Sequence, residues 1–342
     1  MLAGYAGGPP MRLSEIASER IVLILGAPRS GTTWLAKIFD SHPDVLYRHE
    51  PDTVLRATDL PWFCDRADIP RHLDAARAYL AALIETATVK TAGSLPMFPK
   101  HFEPAPARLL RRTIIYGLRA ASLTRLGRRL AGNAPVADLL DLARHPELRV
   151  VIKSVGSRGR AGLFAAALPR ARIVFIVRDA YGQVASMQRG NALGKFGKSL
   201  PIAELADPQR AARYGLTPAS FADLPEIEQF AWNWAILNEK VIDDLGGLER
   251  VKLLRYQDLC EHPEQQARAL FAFAGLSWDR QTEAFLRRST SHVGPDRYYS
   301  VFRATEAALY GWRQQLSADD QRRIRAVVRS TSLSAFCPEL EV

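Results

Sequence analysis

The residues in this 342-residue sequence best suited to chemistry form the run Gly26-Ala27-Pro28-Arg29-Ser30-Gly31-Thr32-Thr33-Trp34. An apolar run, Ile21–Leu25, precedes it and a helical pattern over 32–40 follows. Strand, glycine-bounded loop and helix start together aim backbone N–H groups and the positive end of a helix at one point. That is how a chain cradles a phosphate or a similar anion. The spacing of Gly26 and Gly31 matches the G-x-x-x-x-G-K-[ST] loop of nucleotide triphosphatases. Thr32, however, stands where that loop requires lysine, and the cation lies inside the loop as Arg29. A triphosphatase needs its lysine and a Mg²⁺-ligating hydroxyl to neutralise a γ-phosphate. This loop therefore suits a less highly charged transferring group and calls for no metal.

Such a loop needs a scaffold. Ile21–Leu25, Val150–Ile152 and Ile173–Val177 are continuous apolar runs, with weaker ones at Val45–Tyr47 and Val251–Leu254. Runs of this kind suit strands buried on both faces of a parallel sheet. Helical patterns cover 32–40, 71–87, an Arg-studded 107–131, 180–189, 226–245, 264–274, 281–288 and 318–330. The alternation implies an α/β sandwich with a central, mainly parallel sheet whose ligands sit at the carboxyl ends of the strands. Residues 1–20 read as a loose tail rather than a signal peptide, and 21–342 as a single domain. A helical insertion at 53–148 and a Gly- and Lys-rich loop at 190–224, long enough to be a lid, complete the organisation.

The run PRSGTTWL resembles the 5′-phosphosulfate loop of sulfotransferases that use 3′-phosphoadenosine-5′-phosphosulfate (PAPS). The resemblance implies a P-loop-containing three-layer fold, with Arg29, Ser30, Gly31, Thr32 and Thr33 holding the 5′-phosphosulfate. It places Trp34 near the adenine; the alternative is a core aromatic on the first helical turn. A second segment, from Arg172 through Arg178 to Ser186, resembles the family's 3′-phosphate element. Arg178 would leave a strand end and offer a planar donor fork to the phosphate. Ser186, two turns into the next helix, would add a hydroxyl. A structural ion pair between Arg178 and Asp179 is the alternative. The segment Leu253-Leu-Arg-Tyr256-Gln-Asp258-Leu through Gly275-Leu276 is similar to the family's R-Y-E-D-L…F-L-G-L stretch, with Gln257 for Glu. It leaves Tyr256 as a nucleotide contact or a packing residue. Phe302-Arg303 and Gly311-Trp312-Arg313 partly match the closing loop and make Arg303 a candidate 3′-phosphate ligand.

The family reaction moves a sulfuryl group from PAPS to an acceptor hydroxyl and leaves adenosine-3′,5′-bisphosphate. The Lys-x-His element of cytosolic members corresponds to Lys153-Ser154-Val155, so that histidine is missing. Carbohydrate-acting and several bacterial members instead carry a glutamate soon after the second strand. His49-Glu50-Pro51 resembles that version and makes Glu50 the expected general base, provided burial raises its pKa toward the working range. Pairing of Glu50 with Arg48 or Arg56 is the structural alternative, and His49 is the rival base. Lys153, with Arg29, is the candidate for stabilising the sulfuryl or bridging oxygen, unless its head simply lies in solvent. The glutamate points to an acceptor that is a sugar, a glycolipid or another small hydroxyl compound.

Composition sets the outer bounds. No apolar run approaches the length of a bilayer span. Cys64, Cys260 and Cys337 are scattered, odd in number and free of any C-x-x-C pair, which fits a reducing cytoplasm. The formal charge of +10 favours anionic partners. An Arg-rich surface over 107–131 would suit an acidic glycan or a membrane glycolipid, while genome composition is the neutral source of the same bias. A P-loop kinase or Mg-dependent NTPase is the second reading. A nucleic-acid binder is the third, with no interleaved basic and aromatic platform to support it.

Overall fold

The computed structural model describes residues 16–124, 131, 133–138, 145, 147–194, 212–291 and 305–337. Five strands form one sheet: β1 Ile21–Gly26, β2 Val45–His49, β3 Arg149–Ser154, β4 Arg172–Val177 and β5 Val251–Arg255. Their spatial order is β2-β3-β1-β4-β5, and every neighbouring pair is parallel. The all-parallel sheet explains the unbroken apolar runs, because helices cover both faces.

Side chains alternate along each strand, and the alternation separates two cores. Val22, Ile24, Val151, Val174 and Ile176 pack with Leu35, Ile38 and Phe39 of helix α1 (Thr32–Asp40), and with Leu270, Phe271 and Phe285. Leu23, Leu25, Val150, Ile152, Ile173 and Phe175 pack on the other face. Their partners there include Leu80, Leu163, Phe164, Val184 and Trp234. The result is the three-layer sandwich that the sequence implies.

Most expected elements form, with shifted ends. The helix expected over 71–87 spans Ile69–Glu85, with a proline at its start where a missing N–H costs nothing. The one expected over 107–131 spans Ala105–Ala121. Just past its end, the Ser122 and Thr124 hydroxyls donate to the carbonyls of Arg119 and Ala121 at 2.7 and 2.9 Å, in competition with the helical ladder. Part of the loose tail is packed: Ile16 is buried and Ser18–Arg20 forms a 3₁₀ turn. In the region expected as a lid, the helix Ala180–Ala192 enters from one side and the helix Pro218–Ala222 lies at the other. Residues 195–211 between them, and Arg303, lie outside the described residues.

The helix Ala105–Ala121 differs from the expected basic surface. Arg111 turns inward to Glu103 at 2.9 Å, and Arg119 donates to the Gly93 carbonyl at 3.0 and 2.6 Å. Leu109, Leu110, Ile114 and Tyr116 are exposed instead. Arg112 stays exposed, and Arg125, Arg128 and Arg129 of the expected stretch lie outside the described residues.

A buried charge cluster ties the insertion to α1. Asp40 sits between Lys37 and Lys100 at 2.7 and 3.0 Å, and Lys37 also donates to the carbonyls of Ser94 and Pro96. Removing the shared carboxylate leaves two buried ammonium groups uncompensated. Asp40→Ala is expected to lower the unfolding free energy by about 3–5 kcal/mol in urea denaturation. A loss below about 1 kcal/mol, the worth of a surface pair, would contradict this account.

Candidate active site

The parallel register brings the chemistry to one edge. Leu25 pairs with Ser154 of β3 and with Phe175 of β4, so the Gly26–Thr33 loop leaves between the ends of both neighbours. Lys153 and Arg178 therefore flank it, one from β3 and one just past β4.

The loop is shaped by two left-handed residues, Arg29 at φ 72° and Gly31 at φ 88°. The Ser30 hydroxyl donates to the Ala27 carbonyl at 2.7 Å and closes the loop. Gly31, which has no side chain, is the N-cap residue of α1 and so leaves the first-turn N–H groups uncapped by its own side chain. They form an anion-binding end. Thr32 is buried, and Trp34 is half-buried against the α1-side core, where its indole N–H donates to the Ser289 hydroxyl at 3.1 Å. A positive φ at a non-glycine residue stores strain, and such residues concentrate at ligand sites.

Arg29 joins this loop to the second element. Its Nε donates to the Ser186 hydroxyl at 2.9 Å, and its carbonyl accepts from Arg178 Nη1 at 3.1 Å. Arg178 also lies 3.8 Å from Asp179 and 5.0 Å above the Tyr256 ring. The ion pair with Asp179, the structural alternative, is present, and the same guanidinium reaches the loop through Nη1. Tyr256 is buried against Gly31, where an added Cβ would fall 2.3 Å from the ring. Tyr256 is thus the packing floor of the loop and of Arg178 together.

Glu50 stands at φ 45°, and its N–H donates to the Lys153 carbonyl at 2.9 Å. This sharp turn folds its carboxylate back over the strand ends, onto the Lys153 ammonium. Lys153 also donates to the Thr33 hydroxyl at 3.1 Å and so links Glu50 to the loop. Neither expected alternative for Glu50 forms. Arg48 is buried with Asp138 and the Ile84 carbonyl, and Arg56 is exposed. Lys153 is 1% exposed, so its head does not lie in solvent.

One expectation is corrected. Burial pushes the Glu50 carboxyl up, but the Lys153 ammonium, with help from Lys90, outweighs it and holds the group below the ordinary carboxylate value. Glu50 is therefore ionised at neutral pH. His49 is the weaker rival. Burial and Lys153 push its pKa down to about 3, and Tyr47 Oη lies 2.8 Å from its Nδ1. Burial raises the Tyr47 phenol's own pKa, so both partners of this bond are neutral.

Sequence reasoning missed Asp52, Ser154 and Ser157, which bond to one another beside Lys153. The signal was the second carboxylate two residues after Glu50. It missed Ser289 as well, whose bond to Trp34 spans 255 residues and has no local signature.

The sequence profile of the sulfotransferase family matches residues 22–280. The chain therefore belongs to the sulfotransferase family and is a PAPS-dependent enzyme of that family. It is 26% identical over 344 residues to human carbohydrate sulfotransferase 5, covering 90% of this chain and 74% of that protein. It is 22% identical over 334 residues to zebrafish (Danio rerio) carbohydrate sulfotransferase 1, covering 87% and 73%. Among solved structures it is similar to the sulfotransferase domain of the Synechococcus PCC 7002 olefin synthase. That match has a TM-score of 0.43 and 17% identity over 91% of this chain and 93% of that one. No helix among the described residues is long and apolar enough to cross a membrane.

Gly31 lets the loop, with Arg29 in it, lie directly on the Tyr256 ring, where a side chain would force the loop away; such a close-lying, glycine-shaped loop suits a phosphate-bearing donor. Gly31→Ala would combine the positive φ, costing about 1–3 kcal/mol, with a clash against Tyr256. It is expected to weaken calorimetric binding of adenosine-3′,5′-bisphosphate at least about tenfold, the equivalent of losing one charge-assisted hydrogen bond. Wild-type affinity would contradict the cradle.

Proposed function

We propose that this chain transfers the sulfuryl group of PAPS to a hydroxyl of an acceptor by in-line attack, with Glu50 as general base. The observation that carries the reading is Lys153, whose ammonium touches Glu50 on one side and Thr33 of the phosphate loop on the other. An anionic donor in the loop draws Lys153 toward it. That weakens the ion pair which holds the Glu50 pKa down, so the base strengthens when donor and acceptor are both in place. The acceptor proton then passes to a Glu50 carboxylate oxygen. Lys153 and Arg29 stabilise negative charge on the sulfuryl and bridging oxygens.

The backbone N–H groups of Gly31, Thr32 and Thr33 would hold the 5′-phosphosulfate, together with the Thr33 hydroxyl. Ser30 acts through loop shape, since its hydroxyl is committed to Ala27. Arg178 and Ser186 would receive the 3′-phosphate, with Arg303 as a further ligand. Trp34 would border the adenine, and Tyr256 supports the nucleotide pocket from beneath. Recognition of a 3′-phosphate by its own arginine and serine excludes ATP, which disfavours a kinase or NTPase.

The acceptor is read as a sugar, a glycolipid or another small hydroxyl compound. The glutamate base supports it, as do the two relatives named carbohydrate sulfotransferases. The exposed leucines of the helix Ala105–Ala121, within the 53–148 region, suit peripheral contact with a lipid-borne acceptor. The three buried cysteine thiols suit a cytoplasmic setting.

Incubation with PAPS and a panel of sugars, glycolipids and phenols, read by mass spectrometry, tests the reading directly. A sulfated sugar or glycolipid supports it, and sulfation of nothing contradicts it. Glu50→Gln is expected to lower turnover roughly 10²–10⁴-fold while leaving bisphosphate binding near normal. Intact turnover would remove Glu50 from the role.

A further inference from the structure

A second carboxylate follows Glu50 by two residues. Asp52 Oδ2 accepts hydrogen bonds from the Ser154 hydroxyl and, at 3.1 Å, from the Ser157 hydroxyl. Asp52 Oδ1 is buried and has no hydrogen-bond partner among the described residues. Ser154 directly follows Lys153 at the end of β3, so the two serines fix this carboxylate beside the strand end that carries the ammonium. A buried carboxylate oxygen without a donor is costly, and such groups persist where their charge serves a neighbour.

The neighbour is Lys153. Burial lowers its pKa; Glu50 and then Asp52 raise it, and Arg29 opposes them. The Thr33 hydroxyl also accepts from this cation, His49 beside it is neutral, and Lys90 is a further cation acting on Glu50 and His49. Burial also pushes Asp52 above the ordinary carboxylate value; the serine hydroxyls pull it back and Glu50 pushes it further.

The proposed reaction creates a need for this second charge. As the acceptor oxygen bonds to sulfur, its proton passes to Glu50. The bond from sulfur to the bridging phosphate oxygen breaks, and the bisphosphate carries off the electron pair. Glu50 is then neutral and no longer offsets the buried Lys153 ammonium, which is left with the nucleotide's own charge while that is bound and with Asp52 throughout.

We propose that Asp52 is a positioning residue that acts as the second counter-charge of Lys153, keeping the ammonium protonated once Glu50 has taken the acceptor's proton. The proposal rests on the reading of Glu50 as the base. Asp52 neither touches the acceptor nor receives its proton, and Lys153 keeps its proton throughout.

Glu50→Gln imitates the neutralised base, so the decisive comparison needs no turnover. Carbon-13 NMR of labelled lysine side chains, with Lys153 assigned by its absence in Lys153→Arg, gives the titration midpoint of Lys153. In Glu50→Gln/Asp52→Asn that midpoint is expected about one pH unit or more below its value in Glu50→Gln. An unchanged midpoint would overturn the proposal. In turnover, Asp52→Asn removes a charge that raises the Lys153 pKa, so the ammonium is lost at lower pH. The alkaline limb of kcat moves down, while donor KM and bisphosphate affinity stay unchanged. Because a guanidinium does not deprotonate in this range, the shift vanishes in a Lys153→Arg background; a shift that persists there also overturns the proposal. If Asp52→Asn does not fold, Ser154→Ala keeps the carboxylate but loosens its hold. It is expected to give a smaller downward shift, and no shift counts against the assignment. Absence of any sulfation by the wild-type chain would refute the proposed function and leave the NMR comparison readable.

Discussion

The parallel pairing of β1 with β3 on one side and β4 on the other is the constraint from which the site follows. It aligns the loop after β1, Lys153 at the end of β3 and Arg178 just past β4 along a single sheet edge. Parallel strands require crossover connections on the faces, and those connections supply the two helical layers. The helix that opens at Thr32 packs Leu35, Ile38 and Phe39 into one of those layers, and this holds its N-terminus at the edge. Packing, in other words, fixes the direction in which the loop's N–H groups point.

Three cations meet at that edge, and the protein manages them by pairing rather than by exposure. Lys153 lies against Glu50, Arg178 against Asp179 and the Tyr256 face, and Arg29 against Ser186. Buried charges of like sign repel strongly in a low dielectric; Lys153 and Arg178 each have a carboxylate close by, whereas Arg29 has a neutral hydroxyl. In the proposed reaction a bound polyanion would take over these pairings.

Much of the fold was legible in the sequence because continuous apolar runs and glycine punctuation are local signals. The five strands, the loop after β1 and the helix that follows could be read from residues 21–40 and their counterparts. Helix ends were less legible, as at Ala121, where serine and threonine hydroxyls compete with the backbone. The inward turn of Arg111 and Arg119 was invisible, because their partners Glu103 and Gly93 meet them only in three dimensions. Glu50 and Lys153 could each be named from sequence, but their ion pair could not. Its effect reverses the expected direction of the Glu50 pKa, since burial was foreseeable and the neighbouring ammonium was not.

The account's central claim is that two anion pockets, joined through Arg29, recognise the two phosphate-bearing ends of one nucleotide. Calorimetric titration with adenosine-3′,5′-bisphosphate, adenosine 5′-phosphate and Mg-ATP tests it most directly. The account predicts that the bisphosphate binds about 10–100-fold more tightly than the monophosphate, the worth of charge-assisted hydrogen bonds to the 3′-phosphate, and more tightly than Mg-ATP. Equal affinity for bisphosphate and monophosphate, or a preference for Mg-ATP, would contradict it.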